Sequence, residues 1–349
     1  MKPLEFGGLS IWPPVLAAPM AGYTGGVYRE ILREHGCPYC VTEMVSAKGF
    51  VLGGDDSAEI LEHSPKDRPL GVQLFGYDPE DLARAVRKLE DEGWEFDCID
   101  INMGCPARKI TSQGSGGALL KDLRLAAEMV RAVKSETRLP VSAKARIGWD
   151  DAEYVEDMAV TLAGAGLDML VVHGRTVVQG YSGKADWDAI ERAARAVDIP
   201  VVGNGDVSSA AGIIARLGNP NEGGVDGGQS DGGQSDGTDA GRSSGSAVAG
   251  VMIGRAMLGN PVIFEDLGRL LEGQEPLPYT PERKMALAAE HFRRSVDKYG
   301  PVRGVLDMRK QLAFYFRGIE GAARLRERLM SEKSPENVLR LLGEAGKTH

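Results

Sequence analysis

Polar side chains with several hydrogen-bonding atoms follow most of the short apolar runs in this 349-residue chain. The residues in these places are Gln73, Asn102, Lys144, His173 and Asn204. The donors and acceptors of Gln73, Lys144, His173 and Asn204 suit the edge of a heterocycle. A core that only stabilises the fold has no need of them, because an unpaired buried polar group costs about 1–3 kcal/mol. The pattern therefore predicts that the chain binds a large polar ligand.

Cys105 is the cysteine best placed for chemistry. It follows an apolar run in Asn102-Met103-Gly104-Cys105-Pro106, where glycine and proline restrict the loop. A cysteine thiol is ordinarily protonated at neutral pH, so it can act as a general acid as well as a nucleophile. Cys98 lies inside the same run and is expected in the core. Cys37 and Cys40 form a C-x-x-C before a strand rather than at the start of a helix, so we expect packing there and no metal site.

The apolar runs recur along the chain and predict eight β-strands. They are Val15–Met20, Tyr39–Ala47, Pro69–Gly76, Phe96–Gly104, Pro140–Gly148, Met169–Thr176, Ile199–Asp206 and Gly250–Ala256. The amphipathic stretches between them predict helices at Val27–His35, Pro79–Glu92, Ala118–Glu136, Ala152–Ala165, Asp186–Val197 and Ser208–Leu217. Strands that are apolar throughout are typical of parallel sheets buried on both faces.

Eight such strands alternating with helices over about 255 residues favour a TIM (β/α)8 barrel, which is an α/β fold. The alternative is a doubly wound open sheet. That fold would place a G-x-G-x-x-G turn after the first strand, and Met20-Ala21-Gly22-Tyr23-Thr24 is not one. The barrel is therefore the preferred interpretation.

The carboxyl ends of barrel strands carry the catalytic and binding groups of this fold. Gly205 follows the seventh predicted strand, and Gly254-Arg255 follows the eighth. TIM barrels often bind phosphate after these two strands, here with backbone N–H groups and a guanidinium. The sequence therefore suggests a phosphorylated cofactor such as FMN in the barrel mouth.

The sequence pattern and the glycine content change after the turn-rich stretch at 273–278. Residues 281–349 are helical in pattern and poor in glycine, so we expect a small helical domain after a barrel domain over 1–275. Residues 281–349 hold 15 Lys and Arg against 9 Asp and Glu, a net charge of +6, whereas residues 1–280 carry −15. The net charge of −9 for the whole chain would argue against nucleic-acid binding, but the positive charge of residues 281–349 removes that objection. Two interpretations are open for the basic side chains of this part: they bind nucleic-acid phosphates, or they form an ordinary solvated surface. These side chains are His291, Arg293, Arg294, Lys298, Arg303, Arg309 and Lys310.

Composition sets further limits. No apolar run reaches the roughly 18 residues of a membrane span, so no membrane partner is expected. The N-terminus lacks the layout of a signal peptide, and four cysteines are too few for a disulfide framework, so we expect a cytoplasmic protein. Residues 221–250 contain a tandem Gly-Gly-Gln-Ser-Asp repeat and predict a low-complexity mobile insertion. Such a loop costs little stability, because loop-closure entropy grows slowly with length.

A series of motifs in these regions resembles the dihydrouridine synthase family of flavin-dependent tRNA-modifying enzymes. The matching motifs are Ala17-Ala18-Pro19-Met20-Ala21-Gly22, Thr42-Glu43-Met44-Val45, Val72-Gln73-Leu74-Phe75-Gly76, Asp100-Ile101-Asn102-Met103-Gly104-Cys105-Pro106, Ser142-Ala143-Lys144-Ala145-Arg146, His173-Gly174-Arg175-Thr176, Asn204-Gly205-Asp206 and Met252-Ile253-Gly254-Arg255-Ala256. The C-terminal part of the chain is similar to the helical tRNA-binding domain of that family, on the segments Arg309-Lys310 and Tyr315-Phe316-Arg317-Gly318. The pattern is most similar to the B-type bacterial branch.

The resemblance implies an oxidoreductase that reduces the C5–C6 double bond of uridines in tRNA, with FMN as cofactor and NADPH or NADH as reductant. It implies Cys105 as the general acid. The cofactor contacts it implies are Ala18, Pro19, Met20, Gln73, Lys144, His173, Asn204, Gly205, Asp206, Gly254 and Arg255. Our candidates for contacts with the uracil and the tRNA backbone are Asn102, Arg175, Tyr181, Arg309 and Lys310. We expect tRNA as the partner, no DNA, and a monomer.

Two departures from the family pattern are the insertion and the run Ala247-Val248-Ala249-Gly250, where the family usually has an acidic residue. We expect neither to affect catalysis. Two alternatives remain at this point. One is another FMN barrel oxidoreductase acting on a small molecule, similar to dihydroorotate dehydrogenase, and the other is a non-catalytic RNA-binding protein.

Overall fold

The computed structural model describes residues 1–54, 56–218 and 246–346. Most of the predicted insertion, residues 221–245, lies outside the described residues. Within the described ranges, no helix combines the length and hydropathy that a membrane crossing requires.

Eight parallel strands form the central sheet and confirm the predicted barrel. The strands of the chain are β1 (Leu4–Phe6), β2 (Leu9–Ile11), β3 (Val15–Ala17), β4 (Cys40–Ser46), β5 (Leu70–Phe75), β6 (Cys98–Met103), β7 (Val141–Arg146), β8 (Met169–His173), β9 (Val201–Asn204) and β10 (Gly250–Ile253). The sheet order is β3-β10-β9-β8-β7-β6-β5-β4. A hydrogen bond from the Ala17 N–H to the Tyr39 carbonyl, 2.9 Å, brings the two outer strands together. The predicted strands β3 to β10 are all present, with shorter bounds than the sequence indicated.

The antiparallel hairpin of β1 and β2 covers the amino-terminal end of the barrel, a feature that the sequence analysis missed. Leu4, Phe6 and Ile11 are buried in one cluster with side chains from the barrel interior. The Phe6 ring meets the Tyr39 ring edge-on at 5.9 Å. Because apolar side chains fill this end in the described part of the chain, we expect a ligand to enter from the carboxyl ends of the strands.

Helices surround the barrel and continue to the end of the described chain. They are α1 (Gly26–Glu34), α2 (Ala47–Val51), α3 (Asp56–Leu61), α4 (Pro79–Asp91), α5 (Arg108–Thr111), α6 (Leu123–Glu136), α7 (Val155–Gly164), α8 (Trp187–Arg195), α9 (Ala210–Leu217), α10 (Ile263–Leu271), α11 (Pro281–Tyr299), α12 (Pro301–Tyr315), α13 (Ala322–Ser331) and α14 (Pro335–Ala345). Asp78, Asp122 and Asp186 cap α4, α6 and α8 by accepting backbone N–H groups of the first turn. These caps make the sharp turns by which the chain enters each helix after a strand-end loop.

Helices α11 to α14 form the helical C-terminal segment, which has its own apolar core around residues such as Phe292, Met308 and Leu342. Its basic side chains contact the barrel through ion pairs. The pairs are Arg283 with Glu265 (2.7 Å), Arg294 with Glu34 (2.7 Å), Lys298 with Glu62 (3.2 Å) and Arg303 with Glu59 (2.5 Å). Part of the basic set that the sequence analysis considered for phosphates therefore faces barrel carboxylates.

Aromatic contacts at the same junction are buried. The His291 ring stacks on Tyr28 of the barrel at 4.9 Å, and its Nδ1 lies 3.2 Å from the Tyr315 hydroxyl. Burial lowers the pKa of His291 to about 3, so the ring is neutral. The Tyr28 hydroxyl donates to the Met257 carbonyl. These contacts set the position of α11 and α12 beside the barrel mouth.

Candidate active site

A cavity of about 730 Å³ opens at the carboxyl ends of the strands. Its volume lies in the roughly 300–1,000 Å³ range of ligand pockets. It brings together these residues singled out from the sequence: Ala18, Pro19, Met20, Gln73, Asn102, Cys105, Lys144, His173, Arg175, Tyr181, Asn204, Gly205, Asp206, Gly254 and Arg255. Arg309 and Lys310 do not line it. It also includes residues that the sequence analysis did not place there: Tyr23, Met44, Arg146, Phe314 and Arg317.

Gln73, Asn102 and Cys105 line one part of the cavity, and we call these residues, together with the buried Asp100 that Gln73 contacts, the relay wall. Gln73 donates from Nε2 to Asp100 Oδ2 at 2.7 Å, and Asn102 donates from Nδ2 to Gln73 Oε1 at 2.8 Å. The Cys105 N–H then donates to Asn102 Oδ1 at 3.0 Å. Ser142 supplies the other end of the chain by donating to Asp100 Oδ1 at 2.5 Å.

Asp100 determines the direction of this hydrogen-bond chain. An ionised carboxylate only accepts, so Gln73 must turn its NH2 group toward Asp100 and its carbonyl toward Asn102. Asn102 must then present its oxygen to the Cys105 N–H. Burial raises the pKa of Asp100, and the hydrogen bonds from Ser142 and Gln73 oppose that shift. A carboxylate inside the barrel thus specifies the orientation of a backbone group at the rim.

The loop that carries Cys105 is also packed closely on both sides. A Cβ at Gly104 would lie 3.2 Å from the Lys144 carbonyl oxygen, so only glycine fits without a shift. Arg146 donates from Nε to the Gly104 carbonyl at 2.8 Å. The Gly117 N–H donates to the Cys105 carbonyl at 3.1 Å. The loop around Cys105 is thereby held from β7 and from the 3-10 turn at 116–121.

Beside the relay wall, at the ends of the next two strands, lie Lys144, His173 and Arg175, which we call the donor wall. Lys144 Nζ has no hydrogen-bond acceptor among the described residues. Burial lowers the pKa of Lys144 to about 8, with a further contribution from the Arg146 charge. Arg175 Nη1 is buried and also lacks a partner in the described part of the chain. A buried donor without a partner, such as Arg175 Nη1, costs free energy unless a ligand accepts from it.

His173 presents a single, defined donor. Its Nδ1 accepts the Arg175 backbone N–H at 3.1 Å, so the ring proton is on Nε2. Burial lowers the pKa of His173 to about 2, and the charges of Lys144, Arg146, Arg175 and Arg255 lower it further. The ring is therefore a neutral hydrogen-bond donor at every pH at which the protein would work.

The end of β9 and β10 forms a backbone cradle. Asn204 donates from Nδ2 to the Met252 carbonyl at 2.7 Å, which joins the two strand ends. Gly205 has φ +124°, where a side chain would be strained, and a Cβ there would lie 2.7 Å from the Ala185 side chain. A Cβ at Gly254 would meet nothing within 4 Å, so its backbone faces open space. The unpaired donors and this cradle fit a ligand with a polar ring edge and a phosphate.

Arg175 and Asp206 mainly hold each other and the neighbouring loop. Arg175 Nη2 lies 2.8 and 2.9 Å from the two Asp206 carboxylate oxygens, and its Nε donates to the Ser182 carbonyl at 3.0 Å. Asp206 Oδ2 also accepts the Ala185 N–H at 2.7 Å. Asp206 has φ 55°, an unusual conformation for a residue with a side chain. Only Nη1 of Arg175 remains available for a ligand.

The remaining candidates lie at or beyond the mouth. The Tyr181 ring is 63% exposed, and the Arg255 and Arg146 guanidinium groups lie 4.9 and 5.8 Å from its centre. Lys310 Nζ lies 5.4 Å from the centre of the Tyr23 ring, just outside the cavity. Arg309 donates from Nη2 to the Glu332 carbonyl at 2.8 Å, within the helical segment.

The other cysteines do not line the cavity. Cys37 and Cys40 are buried as free thiols with their sulfurs 3.7 Å apart, and Cys98 is buried inside β6. Among residues 1–54, 56–218 and 246–346, no group of three or more His, Cys, Asp and Glu side chains is arranged to hold a metal ion.

Comparison with known proteins decides the family. A family model described as "Dihydrouridine synthase (Dus)" matches residues 15–228 and 236–348. The chain belongs to the dihydrouridine synthase family. A dihydrouridine synthase relative, "Probable tRNA-dihydrouridine synthase 1" of Synechocystis sp., is 34% identical over 99% of this chain and 89% of its own length. "tRNA-dihydrouridine synthase B" of Pseudomonas aeruginosa is 33% identical over 93% of this chain and 90% of its own length.

Membership of the dihydrouridine synthase family makes this protein an oxidoreductase that acts on uridines of tRNA, and it supports a flavin cofactor. Neither the small-molecule oxidoreductase nor the non-catalytic RNA-binding protein is favoured. A solved structure titled "2-Naphthoyl-CoA Reductase-2-Naphthoyl-CoA complex" has a similar fold, with a TM-score of 0.54 and 10% identity. The similarity covers 78% of this chain and 52% of the other one.

Proposed function

We propose that the cavity at the barrel mouth reduces the C5–C6 double bond of specific uridines in tRNA, with FMN as the cofactor and Cys105 as the general acid. The observation that carries the proposal is the placement of the Cys105 loop beside a set of unpaired donors, within one cavity. The relay wall suits a group that must be held in place to transfer a proton, and the donor wall suits a bound heterocycle.

The residues that would hold FMN come from six strand ends. Ala18, Pro19 and Met20 would line the ring system, while Gln73, Lys144 and His173 would contact its polar edge. Asn204, Gly205 and Asp206, with Gly254 and Arg255, would hold the ribityl chain and the phosphate. The cradle supports this assignment, because backbone N–H groups and a guanidinium are favourable partners of phosphate.

When bound, FMN would supply the hydride chemistry for reduction at C6 of the uracil, with NADPH or NADH as the reductant. Cys105 would donate its proton to C5 from the opposite face, so that one hydride and one proton complete the reduction. Asn102 would serve chiefly to position Cys105, since its amide oxygen and NH2 group are both engaged in the relay wall. Arg175 Nη1 and Tyr181 would remain for contacts with the uracil and its backbone.

The target uridine must leave its stack to reach this depth, at a cost of a few kcal/mol. The helical segment over 281–349 is proposed as the tRNA-binding domain that follows a barrel domain over 1–275, with Arg309 and Lys310 among its contacts. Lys310 is exposed beside Tyr23 and suits this role better than Arg309, whose guanidinium is engaged with Glu332. We further propose a cytoplasmic monomer that acts on tRNA and not on DNA.

Analysis of tRNA nucleosides tests the proposal directly. Cells that lack the gene should lose dihydrouridine at defined tRNA positions, and the purified protein with NADPH should restore it to their tRNA. Purified protein should also show the visible absorbance of a flavin that is released as FMN on denaturation. Unchanged dihydrouridine in the deletion strain, together with no product in vitro, would exclude the proposed reaction.

A further inference from the structure

An aromatic ring of the helical segment lines the same cavity as the barrel residues. Phe314, in the last turn of α12, lies edge-on to Tyr23 with 5.6 Å between ring centres and 90° between ring planes. The Arg317 guanidinium lies over the Phe314 ring at 4.4 Å and is itself exposed. Phe314 and Arg317 both contact the cavity, although they come from outside the barrel.

Phe314 is held at the mouth by a close approach of two backbones. Gly259 of the barrel has φ +65°, and a Cβ there would lie 2.5 Å from the Phe314 carbonyl carbon. Only a glycine lets α12 come this near. The next residue, Tyr315, is buried against His291. Phe314 is therefore presented to the cavity by a rigid support rather than by a loop.

Simple packing of the two segments does not require this combination of groups. An aliphatic side chain would fill the contact with Tyr23 equally well and would not need a guanidinium over its surface. A half-exposed aromatic ring with an adjacent exposed arginine is the arrangement by which proteins bind unpaired nucleotides, with the base on the ring and the phosphate on the cation.

We propose that Phe314 and Arg317 form a binding site for a nucleotide of tRNA next to the reacting uridine. The proposal rests on the proposed function. When the uridine is extruded, its neighbours lose a stacking partner. The base of one neighbour stacks on Phe314 in place of the Arg317 guanidinium, which turns to contact the phosphate of the same nucleotide. The helical segment thus completes the mouth of the active site and offsets part of the cost of extrusion.

The test uses the full-length protein and a tRNA transcript whose modified uridine has been located. Phe314→Ala should weaken tRNA binding by about 5- to 150-fold, the range for loss of one base–aromatic stack. Phe314→Leu should be impaired in the same way, because it keeps an apolar contact with Tyr23 but has no π face. Phe314→Trp should retain affinity. The loss should vanish on transcripts that carry an abasic nucleotide on the 5′ or the 3′ side of the target.

Arg317→Ala should lower the slope of log binding constant against log salt concentration by about 0.7–0.9, the value for one phosphate contact. Arg326→Ala is the matched control, since Arg326 is exposed in the same segment and does not line the cavity. Two results would overturn the proposed site. One is a Phe314→Leu protein that binds tRNA as tightly as the wild type. The other is a loss of affinity in Phe314→Ala that persists when the nucleotides on both sides of the target are abasic. Wild-type protein that binds this transcript without forming dihydrouridine would instead refute the proposed function.

Discussion

The relay wall and the donor wall differ in where their polar groups find partners. On the relay wall, both oxygens of Asp100 and both amide groups of Gln73 and Asn102 are hydrogen-bonded within the protein. On the donor wall, Lys144 Nζ has no acceptor among the described residues, and Arg175 Nη1 is buried without one. The relay wall is therefore complete before any ligand binds, which is how a reacting group is held ready. The donor wall is complete only when a ligand supplies acceptors.

Cys105→Ala gives the largest expected effect and tests whether the relay wall serves proton transfer. Loss of a positioned general acid should lower the rate of dihydrouridine formation by about 10²- to 10⁴-fold. The rate is measured as dihydrouridine formed in a tRNA transcript at saturating NADPH. Ser112→Ala is a matched control, because Ser112 is exposed on the segment that follows the loop. A Cys105→Ala enzyme with the wild-type rate would show that the relay wall has no catalytic purpose.

Asp100→Leu tests whether the direction of the relay matters. Without the carboxylate, nothing orients the Gln73 amide, and Asn102 can turn its NH2 group toward the Cys105 N–H. We expect kcat for dihydrouridine formation to fall by about 10- to 100-fold, in line with the cost of unpaired buried polar groups. Asp100→Asn should be less impaired, because its oxygen can still accept from Gln73 if the Ser142 hydroxyl turns to accept.

Measurement of kcat together with the unfolding temperature separates positioning from stability in these Asp100 variants. A purely structural role would lower the unfolding temperature of both variants and leave kcat of the folded enzyme unchanged. Such a result would remove the distinction between the two walls, since the relay would then be an ordinary set of buried hydrogen bonds.

Lys144→Met tests the donor wall, where the sign of the effect should depend on the ligand. The ligand-free protein should become more stable by about 1 kcal/mol, because methionine keeps the apolar stem and removes a desolvated charge. FMN should bind about 10-fold more weakly, since a charged hydrogen bond contributes about 1.5–3 kcal/mol. Urea unfolding with and without FMN measures both effects. Lys184→Met is the control, as Lys184 is exposed and outside the cavity. A Lys144→Met protein that is less stable than the wild type without ligand would contradict the interpretation that Lys144 is unpaired until a ligand binds.

The barrel could be predicted because its strands are continuous apolar runs with polar ends. All eight were found from the sequence, and so were the cavity residues that end them, such as Gln73, Lys144 and His173. The hairpin Leu4–Ile11 was missed because three-residue strands carry too short a pattern to recognise. The separate roles of the two walls could not be predicted either, since they depend on which amide accepts and which ammonium is left unpaired.

The helical segment shows a different limit of sequence reasoning. Its net charge of +6 suggested a surface for phosphates, yet Arg294, Lys298 and Arg303 pair with glutamates of the barrel. A charge count cannot separate a docking face from a nucleic-acid face, because both use the same side chains. Phe314 lines the cavity because the backbones of Gly259 and Phe314 approach each other closely. This contact joins residues far apart in the sequence, so no local pattern predicts it.

The smallest expected effect is the pH dependence of FMN binding, which separates Lys144 from the other donors. The pKa of Lys144 is lowered from its ordinary 10.5 to about 8, so the ammonium is lost in the folded protein at a lower pH than in the unfolded chain. Its desolvation cost is therefore fully present below pH 8 and declines as the pH rises from 8 toward 10.5. FMN should bind with constant affinity up to about pH 7 and about fourfold more weakly at pH 8.5, where most Lys144 is neutral. His173, whose pKa is about 2, stays neutral throughout this range, and arginines stay charged. Titration of FMN from pH 6.5 to 8.5 into wild-type and Lys144→Met protein isolates the lysine, because any titration of the flavin affects both equally. The two curves should converge as the pH rises, and parallel curves would mean that the donor wall binds its ligand without the Lys144 charge.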